Sequence, residues 1–179
     1  MTIRWLRFNL YLLAALVVAA AYGCRTPESK RTHQFCVLRL HLEMNPDGTD
    51  RSQPVPIFRQ EPVMVNIEKQ PFLGENSVAE AKVLDVVGGF ALSVRFDRQG
   101  SRLLEEYSTE NRGTRVAIFS LFGEPMTNAR WLGAPIISRP ITNGVLVFTP
   151  DATRAEADQI ALGLNNDAKK NQSALDRQP

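Results

Sequence analysis

The residues that carry most enzyme chemistry are few in this chain, and they are not arranged as a site. The sequence contains two histidines, His33 and His41, and two cysteines. A nucleophilic serine needs a base within hydrogen-bonding reach, and a metal centre needs several ligands at defined spacing. No G-x-S-x-G motif occurs, and no set of ligands accompanies either histidine. We therefore expect no catalytic residue, no metal and no cofactor, and we predict that the protein is not an enzyme.

Three acidic or glycine-rich stretches have simpler explanations than chemistry. Glu105 and Glu106 are adjacent on a predicted helix, so they point in different directions and form a solvated surface. Asp47 and Asp50 could bind calcium, but the other ligands of a calcium loop are missing and an Asp-Gly pair is a turn signal. Gly88-Gly89 is predicted to be a hairpin turn rather than a phosphate-binding loop.

Cys24 is the residue for which the surrounding sequence predicts a modification. Residues 1–23 combine a short basic segment, an apolar stretch and small residues, which is the layout of a secretory signal peptide. The sequence AAYGC resembles the lipobox of bacterial lipoproteins, which implies cleavage after Gly23 and acylation of Cys24, for example by palmitate. The alternative is an uncleaved membrane anchor.

The lipobox resemblance also implies a location. Acyl chains would hold the protein on the extracytoplasmic side of a membrane. The residues after the cysteine, Arg25-Thr26, are not an inner-membrane retention signal of the Asp type. We therefore expect the protein in the cell envelope, on the outer membrane facing the periplasm if the cell has one.

Charge and cysteine content limit the partners. The chain has 21 Lys and Arg residues against 19 Asp and Glu residues, and the two arginines of residues 1–23 account for the excess. A near-neutral mature chain argues against binding nucleic acid. If Cys24 is acylated, Cys36 has no partner, and its alternating apolar surroundings predict a small buried side chain. A Cys24–Cys36 disulfide would require cleavage without lipidation.

The remaining pattern predicts one domain over residues 34–166, between a flexible tether at 24–33 and a disordered tail at 167–179. Residues 34–44 alternate between apolar and polar, which predicts a half-buried strand with His41 on its polar side as a surface or internally satisfied residue. Extended segments around Pro54 to Val65 follow, and their prolines favour sheet edges. Two alternating runs then flank the Gly-Gly turn and predict a hairpin.

The second half of the domain predicts helix, strands and helix. A helix is expected to end near Asn111, and Arg115 to Phe122 is apolar on both faces, as in a central strand. Two further strand candidates lie at 129–138 and 144–148, and Thr153 with Glu156 forms a capping-box pattern that opens the last helix. The order predicts the α+β class: a mostly antiparallel sheet with two helices packed on one face. We expect residues 34–70 to join that sheet.

Four phrases between residues 78 and 164 carry a family resemblance in the order of the chain. They are FALSVRFDRQGSRLLEEYSTENRG, TRVAIFSLFGEP, GAPIISRPITNGVLVF and TPDATRAEADQIALGL. Together they resemble the head subdomain of the first periplasmic region of the SecD/SecDF protein-export components. The match departs from the family at Leu121-Phe122-Gly123, which lacks an acidic residue. It departs again at residues 144–148, which contain fewer glycines than the corresponding segment of the family.

The resemblance implies a fold and a class of partner. It implies contact with polypeptides outside the cytoplasmic membrane, such as exported chains or translocase subunits, but no proton-driven motor, because no second apolar span follows. We expect a binding protein in which a sheet edge accepts an extended segment, with Pro54 to Val65 as candidate edges. The alternative is a structural envelope lipoprotein that uses the same fold to bind another envelope component.

Overall fold

The computed structural model describes residues 34–46, 48–123 and 125–175. The predicted signal peptide, the tether with Cys24 and His33, and Asp47 lie outside the described residues. The elements in chain order are β1 (Val37–Leu42), β2 (Ser52–Ile57), β3 (Val63–Glu68), β4 (Leu73–Gly74), a 3-10 turn (Glu75–Ser77), β5 (Val78–Val86), β6 (Gly89–Phe96), α1 (Arg98–Glu110), β7 (Val116–Phe122), β8 (Asn128–Gly133), β9 (Val145–Phe148) and α2 (Arg154–Leu175).

The strands form three antiparallel sheets. Their orders are β4-β1-β7-β8, β2-β3 and β5-β6-β9. Both helices contribute to one core with the two larger sheets, through Leu104 of α1 and Ile160 and Leu164 of α2. The predicted α+β class with antiparallel strands and two helices is confirmed, and so is the hairpin around the Gly-Gly turn, which is β5-β6.

The prediction that residues 34–70 join one sheet is correct for β1 and wrong for β2 and β3. β1 pairs with β7 along its whole length, whereas β2 and β3 pair with each other in a separate sheet. The Lys69 N–H donates to the Arg51 carbonyl at 2.8 Å, so these two residues form a hydrogen-bonded pair. In an antiparallel sheet every second residue then bonds to the partner strand, and the residues between them point their main-chain groups outward. Pro54 and Pro56 consequently face away from β3, and an outer edge without these N–H donors cannot extend a sheet.

β7 is central, as its apolar character on both faces predicts. One face, with Ile118 and Phe122, is buried in the main core. The other face is covered in part by the β2-β3 hairpin, which forms a second core with Ala117. Phe119 on the same face is half-buried and meets the Trp131 ring edge-on at a centroid distance of 5.3 Å.

α2 lies very close to the start of β1 because small residues face the sheets. Ala157 and Ala161 of α2 are both buried. A Cβ atom at Gly163 would lie 2.7 Å from the Cβ of Cys36 and 2.8 Å from the carbonyl carbon of Phe35. Since backbone cannot move aside cheaply, glycine sets the approach distance of the helix.

The expectation of a disordered tail from residue 167 is wrong, because α2 continues to Leu175. The Asp167 carboxylate accepts a hydrogen bond from the Cys36 N–H at 3.1 Å. The Asn166 amide donates to a main-chain carbonyl at 2.8 Å. These contacts to the start of β1 give the polar end of the helix tertiary support that its sequence does not reveal.

The N-terminus of α2 carries the predicted capping box. The Thr153 hydroxyl accepts from the Glu156 N–H at 3.2 Å, and the Glu156 carboxylate accepts from the Thr153 N–H at 2.8 Å. The Arg130 guanidinium on β8 donates to both Glu156 oxygens, at 2.8 and 3.1 Å. This hydrogen bond is the main reason that the pKa of Glu156 is lowered to about 2, and it ties the helix to β8.

Glu156→Gln should lower stability in a pH-dependent way, because it removes the charge that pairs with Arg130. The folded pKa lies below the ordinary value of 4.5, so this stabilisation is present above pH 4.5 and is lost as the pH falls toward 2. We expect a loss of about 1–2 kcal/mol in the free energy of unfolding at neutral pH, since partial exposure screens the pair. The difference should vanish near pH 2 in urea titrations.

Glu105→Gln on the exposed face of α1 is the matched control and should change stability little at any pH. A Glu156→Gln deficit that stays constant on acidification would contradict the assignment of the stabilisation to this ion pair.

Candidate functional site

A surface groove lies between the loop that follows β8 and the edge strand β9. Its volume is about 510 Å³. Residues 135–143 form one wall, Val145 to Val147 form the other, and the buried side chains of Leu104 and Val116 line its inner part. β9 pairs with β6 on one side and is the outer strand of its sheet, so the groove runs beside a sheet edge.

The groove is almost uncharged, and its lining combines apolar side chains with polar groups in similar measure. Ile136 on one wall and Val147 on the other are 57% and 51% exposed, so large apolar side chains face solvent across it. Arg139 is the one charged residue among the described residues that line it. Large apolar side chains exposed on both sides of a concave surface make this groove the candidate functional site.

The loop wall is held by main-chain hydrogen bonds at its start. The Val116 N–H donates to the Pro135 carbonyl at 3.0 Å. The Gly113 N–H donates to the Ile137 carbonyl at 2.9 Å, from a backbone with a φ of 89° that favours glycine. The wall is thereby attached to the turn that leads from α1 into the central strand.

Ser108 of α1 holds the second half of the loop. Its hydroxyl accepts from the Ile141 N–H at 2.8 Å and donates to the Glu105 carbonyl at 3.1 Å. The Ser108 side chain is buried, so the loop amide has no water to replace this partner. One buried hydroxyl therefore fixes the distance between α1 and the groove wall.

Gly144 closes the loop against α1 before β9 begins. It has a φ of 66°, and a Cβ atom there would lie 2.0 Å from the Ser101 hydroxyl oxygen. Its carbonyl accepts from the Phe96 N–H at 2.9 Å, which starts the pairing of β9 with β6. Glycine is required here by both the backbone conformation and the lack of space.

The residues singled out from the sequence lie away from this groove. His41 is buried rather than on the surface, and its Nδ1 donates to the Glu68 carbonyl at 2.8 Å, so it is internally satisfied. Burial lowers the pKa of His41. Cys36 is buried as predicted, and burial raises the pKa of its thiol to about 12. Its sulfur lies 3.2 Å from the Ser120 hydroxyl oxygen.

The acidic residues behave as surface groups. Glu105 and Glu106 are exposed on α1, as predicted. Asp50 forms an exposed ion pair with Lys69, which lowers its pKa. Within the described ranges, no group of three or more His, Cys, Asp or Glu side chains could hold a metal ion. In the same ranges, no helix has the length and apolar character needed to cross a membrane.

The groove itself was missed by the sequence analysis. The strand candidate at 129–138 included Ile136-Ile137, whereas β8 ends at Gly133 and the chain continues as a loop. The available signal was the pair of prolines, Pro135 and Pro140, that flank these apolar residues, because proline interrupts a strand.

The fold and the groove define the class of protein: a small α+β domain of antiparallel sheets with a nearly uncharged surface groove beside a strand edge. A model of the family described as SecDF, P1 head subdomain, matches residues 52–168. The chain belongs to this family. The resemblance inferred from residues 78–164 is thus confirmed, and the matched range begins earlier, so that only β1 among the described elements precedes it.

Solved structures of SecDF have a similar fold. One, described as "Structure and function of a membrane component SecDF that enhances protein export", has a TM-score of 0.55 and 20% identity over 81% of this chain and 70% of that one. Another, "Crystal structure of SecDF in Super-membrane-facing form", has a TM-score of 0.52 and 21% identity over 80% of this chain and 21% of that one. No curated protein matches the chain.

Ser108→Ala should loosen the groove wall, because it leaves the partly buried Ile141 N–H without its acceptor. We expect a loss of about 1–3 kcal/mol in the free energy of unfolding, the usual cost of such an orphaned group. Hydrogen exchange of the Ile141 amide should become faster than that of the β1-β7 amides.

Ser138→Ala, in an exposed residue of the same loop, is the matched control and should leave both quantities nearly unchanged. Unaltered exchange at Ile141 in Ser108→Ala would show that another group holds the loop.

Proposed function

We propose that this protein is a non-enzymatic, lipid-anchored envelope protein that binds polypeptide segments in association with protein export. Its partners are exported polypeptides or subunits of the translocase. The groove between residues 135–143 and β9 is the binding site. The observation that carries the proposal is this nearly uncharged groove, with the exposed apolar side chains Ile136 and Val147 on its two walls, in a domain of the SecDF head family.

Family membership supports the link to export. The first solved relative described above is a membrane component that enhances protein export. The family model describes one subdomain of SecDF, and this chain covers 21% of the second solved structure described above. We therefore extend to this protein a binding role and not the whole function of SecDF.

The chemistry of the groove supports polypeptide binding in particular. Chains in transit are unfolded and expose apolar side chains that a folded protein would bury. Ile136 and Val147 present apolar surface to such side chains, and a single charge, Arg139, imposes little selection on their sequence. A surface of this kind suits many chains of different sequence.

Lipid attachment at Cys24 would hold the domain on the extracytoplasmic side of a membrane, in the compartment that exported chains enter. The described domain begins at Gln34, ten residues after Cys24 in the sequence. A tether of this length and polar composition would keep the groove close to the membrane surface. The anchor and the groove together make an envelope protein that samples polypeptides beside the membrane.

Ile136→Glu should weaken binding of an unfolded exported polypeptide by at least about tenfold, because a carboxylate would have to be desolvated against an apolar segment. The fold should persist, since Ile136 is largely exposed. Fluorescence anisotropy with a labelled, reduced and unfolded secreted precursor measures the affinity.

Val87→Glu is the matched control. Val87 is exposed at the β5-β6 turn, at the opposite end of β6 from the groove, and its substitution should leave binding within about twofold. Loss of binding in Val87→Glu but not in Ile136→Glu would move the contact to the hairpin and favour the structural envelope role.

Cys24→Ala should abolish lipid attachment. We expect cells labelled with palmitate to incorporate it into the wild type and into Cys36→Ala but not into Cys24→Ala, because the buried Cys36 thiol is not an acceptor. A wild-type protein that stays unlabelled and retains residues 1–23 by mass spectrometry would be an uncleaved membrane anchor instead.

A further inference from the structure

The outer edge of β9 presents main-chain groups that nothing in the domain uses. The Phe96 N–H donates to the Gly144 carbonyl at 2.9 Å, so Gly144 and then every second residue of β9 bond to β6. Val145 and Val147 therefore point their N–H and C=O groups away from β6. The Asn143 side chain accepts from the Val145 N–H at 3.1 Å. No hydrogen bond from the described residues reaches the two carbonyls or the Val147 N–H.

The opposite edge of the same sheet is blocked at Ala81. β5 turns Ala81 outward, and the Asn165 side chain of α2 satisfies both of its main-chain groups. Its Oδ1 accepts from the Ala81 N–H at 2.8 Å, and its Nδ2 donates to the Ala81 carbonyl at 2.9 Å. A side-chain amide that reproduces the hydrogen bonds of a neighbouring strand prevents that strand from being added.

Both edges of the β2-β3 sheet are obstructed as well. Pro54 and Pro56 remove the outward donors of β2. On β3, the Asn66 carbonyl already accepts from the Met44 N–H at 3.0 Å. Each of these three strand edges is thus obstructed at one or two positions, whereas three of the four outward main-chain groups of β9 have no partner among the described residues.

We propose that the groove takes its polypeptide as an added β-strand, in which an extended segment pairs main chain to main chain with β9. The open groups are the Val147 N–H and the carbonyls of Val145 and Val147. An extended backbone supplies complementary donors and acceptors, and alternate side chains of the segment then enter the groove toward Ile136. This mode rests on the proposed function and specifies how its site works.

The same geometry defines the segment that fits. Alternate residues should be apolar and β-branched, because they pack between Ile136 and Val147. Basic residues should be excluded, because Arg139 is the one charge among the lining residues. Since main-chain groups carry the pairing, the order of the side chains matters little, as binding of many exported chains requires.

Val147→Pro tests the pairing directly. It deletes the outward N–H, which bonds nothing within the described domain, and proline is tolerated where the N–H of an edge strand faces outward. Val147→Thr keeps the N–H and the β-branched shape. With full-length protein in detergent and a blocked peptide of alternating valine and threonine ended by glutamates, we expect Val147→Pro to bind at least about tenfold more weakly than Val147→Thr.

A series of N-methylated peptides gives the same test without altering the protein. Methylation of successive residues should weaken binding to the wild type with a period of two, because only alternate N–H groups face β9. This series decides the question alone if circular dichroism shows that Val147→Pro does not fold.

The outcomes separate the two proposals. Binding that is equal in Val147→Pro and Val147→Thr, or insensitive to N-methylation, would overturn strand addition and leave the groove as a side-chain site. No binding of the peptide or of the unfolded precursor would overturn both proposals. A wild type that is dimeric by analytical ultracentrifugation, with a monomeric Val147→Pro, would assign the edge to a second copy of this chain and also overturn strand addition.

Discussion

The domain depends on the burial of β7 on both faces. A strand that is apolar on both sides needs a layer above it and a layer below it. The main core covers Ile118 and Phe122, and the β2-β3 hairpin covers Ala117. β1 and β8 occupy the two edges of β7, so the central sheet is complete only with β1, which precedes the range matched by the family. The same strand also positions the groove wall formed by residues 135–143, because the Val116 N–H donates a hydrogen bond to the Pro135 carbonyl.

The treatment of the strand edges connects fold and function. A small domain with three separate sheets has many edges, and each exposed edge risks pairing with another chain. Prolines in β2, a main-chain bond at β3 and the Asn165 amide at β5 reduce that risk. Open main-chain groups on β9, beside a groove with exposed apolar side chains, can serve recognition through the same strand pairing that causes aggregation elsewhere.

The distribution of charge leaves the groove almost uncharged. The ion pair between Arg130 and Glu156 links β8 to α2, and Arg59 contacts Asp151 at 3.2 Å, which links the β2-β3 turn to the segment before that helix. These pairs connect elements through their polar surfaces. The groove retains Arg139 as its charge, so apolar side chains can enter without desolvating a carboxylate.

The sequence by itself determined the elements whose signals are local. Alternation predicted β1 and the β5-β6 hairpin, and the capping box of Thr153 and Glu156 predicted the start of α2, since each pattern depends on residues a few positions apart. Tertiary structure alone decided the separate β2-β3 sheet, the continuation of α2 to Leu175 and the groove. Those features depend on contacts between residues far apart in the chain, such as Cys36 with Asp167, 131 positions away. Periodicity cannot encode which distant residue satisfies a main-chain group, so the chain had to fold before the groove and its open edge existed.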